Sequence, residues 1–219
     1  MGRPREFDEC EFLEAAAEVF WAKGYRATST RDLTESTGLT SASMYNAFDD
    51  KRALYLGALA QYLDRTLRER IVRLEALPSP GAAIVGFFKE IVDRSLADPE
   101  HRGCMLVNTA LEATSDDRDL QRIVANHTLM IERFFHGRVV AGQRAGEVPD
   151  DQPADDIAKL LLSVVMGLRV LARVRPEPEL LTGLVRPALA ILNLPWPPGK
   201  DRVRKAAKKA ASVSRRKTA

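Results

Sequence analysis

TSTRDLTESTGLTSASMYNAFDDKRAL, residues 28–54, decides the fold. Thr28 or Ser29 stands where a helix cap belongs, ahead of Arg31, Asp32, Leu33 and Glu35. Gly38 ends that short helix, because glycine alone enters the left-handed region without a Cβ penalty. Thr40 then caps a second helix expected over residues 41–48, and Asp49 or Asp50 caps a third starting at Lys51. Leu33, Leu39, Met44 and Phe48 are spaced to pin the two short helices together, leaving Ser, Tyr and Asn outward. Two short helices about a glycine turn make a helix-turn-helix.

The preceding residues continue the pattern. A first helix is expected over residues 7–23, with Phe12, Ala16, Val19 and Phe20 at helical spacing. It runs into F-W-A-K-G-Y at residues 20–25, followed by T-S-T-R-D at 28–32, the glycine turn, and Y-N-A-F-D-D-K at 45–51. From Phe12 to Leu54 the chain resembles the DNA-binding domain of the TetR family of transcriptional regulators. Thr34 stands where that family usually has alanine, and Ser41 where lysine or arginine is common. The resemblance implies a second short helix in the major groove of double-stranded DNA, with Thr40, Ser41, Ala42, Ser43 and Asn46 on or near its exposed face and Ser41, Ala42 and Asn46 as the candidates for reading base edges. Asn46 has the donor–acceptor pair that matches adenine. The resemblance also implies phosphate contacts by Tyr45 and Lys51, and by Thr28 and Ser29 at a helix start. Arg3 and Arg5 form a short basic arm ahead of the first helix.

The rest of the 219 residues read as helices. Alanine and leucine are abundant, aromatics are 6%, and strand-like alternation is not found. The fold class expected is therefore all-α, and the resemblance implies a helix-turn-helix domain over residues 1–50 and a ligand-binding and dimerisation domain over 51–198, followed by a basic tail over 199–219. Helices are expected over residues 51–77, 82–97, 117–145, 154–174 and 179–194. Pro187 should kink or loosen the last of these. Residues 102–112, RGCMLVNTALE, resemble a G-C-x-x-x-N element of one TetR-family branch. Polar groups inside an apolar helix suggest a pocket wall, since buried polar groups need partners. Phe87, Phe88, Cys104, Met105, Asn108, Phe134 and Met166 are the candidate ligand-binding residues for a small-molecule effector. Asn108 bonded to a neighbouring carbonyl, and Cys104 as a small core residue, are the plainer alternatives. The last two helices are apolar on more than one face, as the family's paired-helix homodimer interface requires.

Composition narrows the function further. The net charge is +3, yet residues 200–219 carry nine Lys/Arg against one Asp, a balance of +8 that leaves −5 for the remainder. The tail's Lys, Arg, Ala and Ser bias builds no core and suits non-specific phosphate contact. The opening GRPREFDEC is charged and lacks the apolar run of a secretory signal, and the uncharged run over residues 160–168 is too short to span a bilayer. A cytoplasmic protein without a membrane segment is expected. Cys10 and Cys104 have no disulfide or metal spacing, and His101, His127 and His136 add no metal signature. Asp116–Asp117 and Asp155–Asp156 are paired carboxylates at helix starts, where capping explains them, so neither catalysis nor a cofactor is expected. The function expected is that of a ligand-responsive repressor that binds a palindromic operator as a dimer and is released by a small molecule, and two alternatives accompany it. One is thiol chemistry at Cys104, beside His101 and Arg102. The other is an architectural DNA binder acting through its tail.

Overall fold

The computed structural model describes residues 9–197, which form nine helices and no strand among the described residues. The basic arm at Arg3 and Arg5 and the tail at 199–219 lie outside that range. Helix α1 is Glu9–Lys23, α2 Thr30–Thr37, α3 Ser41–Ala47 and α4 Lys51–Glu75. Then follow α5 Pro80–Ala97, α6 Met105–Glu112, α7 Arg118–Arg144, α8 Ala154–Val174 and α9 Pro178–Ile191.

The helix starts are set by side chains that satisfy the first free N–H groups. Ser29, not Thr28, caps α2 in a reciprocal box with Asp32. Thr40 caps α3 through the Ser43 N–H, and Asp50 caps α4 through the Ala53 N–H. Gly38 takes φ 71° at the end of α2 and turns the chain toward α3. Asp117 caps α7, one residue later than a start at Asp117 itself. Asp155 and Asp156 lie in the first turn of α8, where the helix dipole favours acids. Helix α9 runs through Pro187. The missing N–H there leaves the Gly183 carbonyl without its usual donor.

Two packing centres organise the helices. Leu33 and Met44 are fully buried and join α2 to α3, while Phe12 stacks on Phe48 at 5.4 Å between ring centres. Phe20 and Tyr25 both pack on Tyr55, each 4.9 Å away, which seats α1 and the following turn on α4. Farther along, Phe87, Phe88, Phe134 and Phe135 interlock between α5 and α7, with neighbouring rings 5.0–6.5 Å apart. Helix α7 packs extensively on α8, and α8 on α9. Helix α4 belongs to both centres, touching α1 on one side and α5, α6 and α7 on the other. No helix among the described residues is long and apolar enough to cross a membrane.

Candidate nucleic-acid interface and ligand cavity

The helix-turn-helix presents one polar surface. Thr40, Ser41, Ala42, Ser43, Tyr45 and Asn46 are all exposed, whereas Met44 points into the core. With Met44 as its one buried side chain, the seven-residue α3 is held by its cap, by Met44 and by flanking Leu39 and Phe48. Tyr45 keeps 39% of its surface, and its hydroxyl lies 2.8 Å from the Thr30 hydroxyl across the angle between α2 and α3.

Three of the expected phosphate contacts look different in three dimensions. Thr28 is 1% exposed, and its hydroxyl donates to the Gly24 carbonyl at 2.7 Å. Its side chain therefore faces the fold and offers nothing to a phosphate, which corrects the expectation. Ser29 is exposed, but its hydroxyl donates to Asp32 at 2.7 Å within the capping box. The Lys51 ammonium donates to the carbonyls of Tyr25 at 2.8 Å and Thr28 at 2.7 Å, and lies 4.6 Å from the Tyr25 ring centre. Two of its three N–H groups thus clamp the turn after α1 to the start of α4, and one remains for another acceptor.

A cavity of about 420 Å³ lies where α1, α4, α5, the loop before α6, and α8 meet. Of the expected ligand-binding residues, Phe87, Cys104 and Met166 line it. Phe88, Met105, Asn108 and Phe134 do not. Phe88 stacks on Phe135, Phe134 lies behind Phe87 at 5.2 Å, and Met105 is packed in the core. The Asn108 amide donates to the Arg102 carbonyl at 3.0 Å, so it closes the turn before α6.

The polar groups of this cavity carry more information than its apolar wall. Arg70 from α4, Arg94 from α5 and Arg169 from α8 line it together with Arg102, Tyr62 and Trp21. Burial pushes the Tyr62 hydroxyl up to about 12, so it remains a neutral donor. Arg70 is 8% exposed, and its guanidinium lies 5.5 Å from the Phe87 ring centre. Burial, followed by the like charges of Arg169 and Arg94, pushes Arg70 down to about 10. None of these three arginines was picked out in the sequence. A signal existed: Leu63, Leu67, Arg70 and Leu74 share one face of α4, and Arg70 alone on that face is charged.

The cavity shares groups with the DNA-binding half. Arg102, in its wall, donates to Glu18 of α1 at 2.8 Å and lies 4.1 Å from the Trp21 ring centre. Its backbone N–H donates to Asp98 at 2.8 Å. Nearby, the Tyr55 hydroxyl is 2.9 Å from that of Thr109, joining α4 to α6. Arg52, at the start of α4, donates both terminal nitrogens to Asp117 at 2.8 and 2.5 Å. The Arg52 guanidinium holds the Asp117 carboxyl below the usual carboxylate range. Among the described residues no three His, Cys, Asp or Glu side chains converge as a metal set, so His101, Cys104, His127 and His136 are not gathered into one.

A helix-turn-helix domain joined through one long helix to a larger, cavity-bearing helical domain defines a DNA-binding regulator. Residues 12–58 match the family model "Bacterial regulatory proteins, tetR family", and residues 81–186 match "Tetracyclin repressor-like, C-terminal domain". The HTH-type transcriptional regulator YezE of Bacillus subtilis is 32% identical over 195 residues, covering 88% of this chain and 100% of its own. The HTH-type transcriptional repressor ComR of Escherichia coli is 29% identical over 197 residues, covering 90% and 92%. A cysteine mutant of the TetR family regulator CifR, complexed with double-strand operator DNA, superimposes with a TM-score of 0.76 at 32% identity, covering 87% of this chain and 100% of that one. Reduced E. coli NemR shares the fold, with a TM-score of 0.78 at 15% identity over 86% of this chain and 99% of its own. The chain belongs to the TetR family of transcriptional regulators. It is a DNA-binding protein, and members of this family act by binding, without catalysis.

Proposed function

We propose that the protein is a ligand-responsive repressor that binds a palindromic operator as a homodimer and leaves it when a small molecule fills the cavity. The observation that carries this reading is the shared wall. The cavity is bounded by α1 and α4, the same helices that seat the helix-turn-helix, and its Arg102 is bonded to Glu18 of α1. A ligand that moves this wall acts on the DNA-binding half through direct contacts, as two-state coupling requires. ComR is a repressor, and the CifR cysteine mutant is complexed with operator DNA, which supports the same role here. Thr40, Ser41, Ala42, Ser43, Tyr45 and Asn46 are the DNA-facing residues, with Ser29 and the remaining Lys51 N–H as phosphate contacts. In a dimer the two α3 helices would enter successive major grooves, about 34–36 Å apart.

Dimerisation rests on α8 and α9. Leu160, Val170, Val174 and Ile191 are exposed there, with Val174 at 67%. Scattered apolar side chains are ordinary on a surface, but a run along one helix pair is what a four-helix interface between two copies buries.

The test is a DNase footprint on DNA upstream of the protein's own gene, at moderate salt with competitor DNA. A protected palindrome, lost when inducer is added, is the expected result. A 100-fold loss of operator affinity corresponds to about 2.7 kcal/mol of coupling. Protection that is uniform along the DNA would instead support the architectural reading.

A second effector chemistry is favoured by one observation: Cys104 lines the cavity and is partly exposed. An electrophile could then be held by the cavity and react with the thiol. If Cys104→Ser responds to the inducer as the wild type does, this second reading is eliminated.

A further inference from the structure

We propose that the effector is an amphipathic anion, with a carboxylate or phosphate head bound by Arg70, Arg94 and Arg169 and an apolar body between Leu67, Phe87, Ile131 and Val165. This rests on the cavity being the effector site. The three arginines reach the same cavity from three different helices, from exposed Arg94 at the rim to buried Arg70 inside. The protein's own acids answer them only in part. Glu18 and Asp98, the two carboxylates of the wall, are both bonded to Arg102. Glu90, behind Arg70, accepts from Arg73 at 2.8 and 2.7 Å and holds Arg70 only at 3.3 Å. Arg169 finds the Ser95 hydroxyl at 3.4 Å, a neutral partner. Arg94 makes no hydrogen bond or ion pair among the described residues.

A buried cation with incomplete partners is costly, and like charges sharing one cavity raise that cost. The low proton affinity of Arg70 has the same origin, since Arg169 and Arg94 follow burial as its causes. An anion placed among the three removes the repulsion and supplies charge-assisted acceptors. A second donor stands beside them: the Trp21 indole N–H is buried in the cavity wall and has no hydrogen-bond partner among the described residues. A smaller hollow of about 230 Å³ shares Thr66, Arg70 and Arg94 with the cavity. It adds Arg65 and Arg73, whose charges are answered by Glu14 and Glu90, so Arg94 is the cation it leaves without an acid partner among the described residues. The cavity volume of about 420 Å³ suits a metabolite-sized molecule.

The experiment is calorimetric titration of the full-length protein with octanoate, octyl phosphate and 1-octanol, repeated on Arg94→Gln and Arg169→Gln. Octanoate or octyl phosphate is expected to bind at least about tenfold more tightly than 1-octanol, given the strength of charge-assisted bonds. The stronger of the two anions identifies the head group. Each variant should weaken the anion by about tenfold or more and leave the alcohol unchanged. Arg94→Gln changes an exposed, unpaired side chain, so its folding is not at risk even if that of Arg169→Gln is. Binding of the alcohol as tightly as the anions, failure of both anions to bind, or variants that bind the anions normally would each overturn the proposal. Operator release is read separately: an anion that binds without releasing DNA supports the anion site and overturns its role as effector site.

Discussion

Arg102 donates to Glu18 across 2.8 Å, and this bond joins the wall of the cavity to the first helix of the DNA-binding half. Glu18 is half in solvent, so the pair contributes little to folding, of the order of 1 kcal/mol or less. Its effect should appear in coupling. Glu18→Gln is expected to change the melting temperature slightly and to keep operator affinity without effector. The ratio of operator affinities with and without effector should shrink by about fivefold, or about 1 kcal/mol. Band-shift titrations with and without inducer measure that ratio. An unchanged ratio would show that the signal leaves the cavity by another path, such as Tyr55 and Thr109.

Acid should loosen the same junction. The Arg52 guanidinium holds the Asp117 carboxyl below its ordinary range, and burial of Asp98 is outweighed by bonds from the Arg102 N–H and guanidinium, which hold that carboxyl low too. A depressed carboxylate contributes stability that is present above its unfolded value, about 3.9 for Asp. That stability is lost as the pH falls through the lower folded value. Thermal stability is therefore expected to be flat near neutrality and to fall below about pH 4. Asp117→Asn keeps a good helix cap but removes the charge that answers Arg52. It should lower stability at pH 7 by about 1 kcal/mol and make the acid-side decline shallower. Melts recorded from pH 3 to 7 for both proteins decide this.

On the DNA-facing side, Asn46 is exposed, and among the described residues its side chain makes no hydrogen bond that a substitution would remove. Asn46→Ala should leave the fold intact and cost about 1–3 kcal/mol against the best operator, with little change on unrelated DNA. Fluorescence anisotropy on both DNAs tests it. Equal losses on both would make Asn46 a backbone contact instead of a base reader.

The helix-turn-helix was legible because its determinants are local. Ser29, Gly38, Thr40 and Asp50 cap or stop helices within four residues of the groups they satisfy, and Leu33 and Met44 have short-range partners. Thr28 was misread for a related reason. A hydroxyl at a helix start can serve the next turn or return to the carbonyl four residues back, and only the packed turn at Gly24 selects the second. The cavity was legible only in part. An apolar side chain looks the same in sequence whether it faces a hollow or a neighbour, so Phe87 and Phe88 were equally good candidates, and only Phe87 reaches the cavity. Arg70, Arg94 and Arg169 converge from helices up to about a hundred residues apart, and such convergence is a tertiary fact.

The basic tail offers a test independent of the cavity. Residues 200–219 carry a balance of +8 beside a body of −5. If all eight excess charges meet phosphates, deleting the tail should reduce the log–log salt slope of DNA binding by up to about 7. Specificity between operator and unrelated DNA should survive, because phosphate contacts carry no base information. A slope change below about one unit would remove the tail from the DNA-binding account.

The dimer is the remaining requirement for reading a palindrome. Val170 and Val174 are one helical turn apart on α8 and both exposed, so a charge there disturbs no core of the single chain. Placed in an apolar interface, the same charge faces a large desolvation cost with no partner. Val170→Asp with Val174→Asp should therefore leave helicity and monomer stability unchanged while shifting sedimentation from dimer to monomer. A monomer engages one half-site, so operator binding should weaken by at least about a hundredfold, the lower end of what linking two sites contributes. Half-site DNA should bind as before. If the double variant sediments as a dimer, the interface lies elsewhere and α8 and α9 serve the single chain alone.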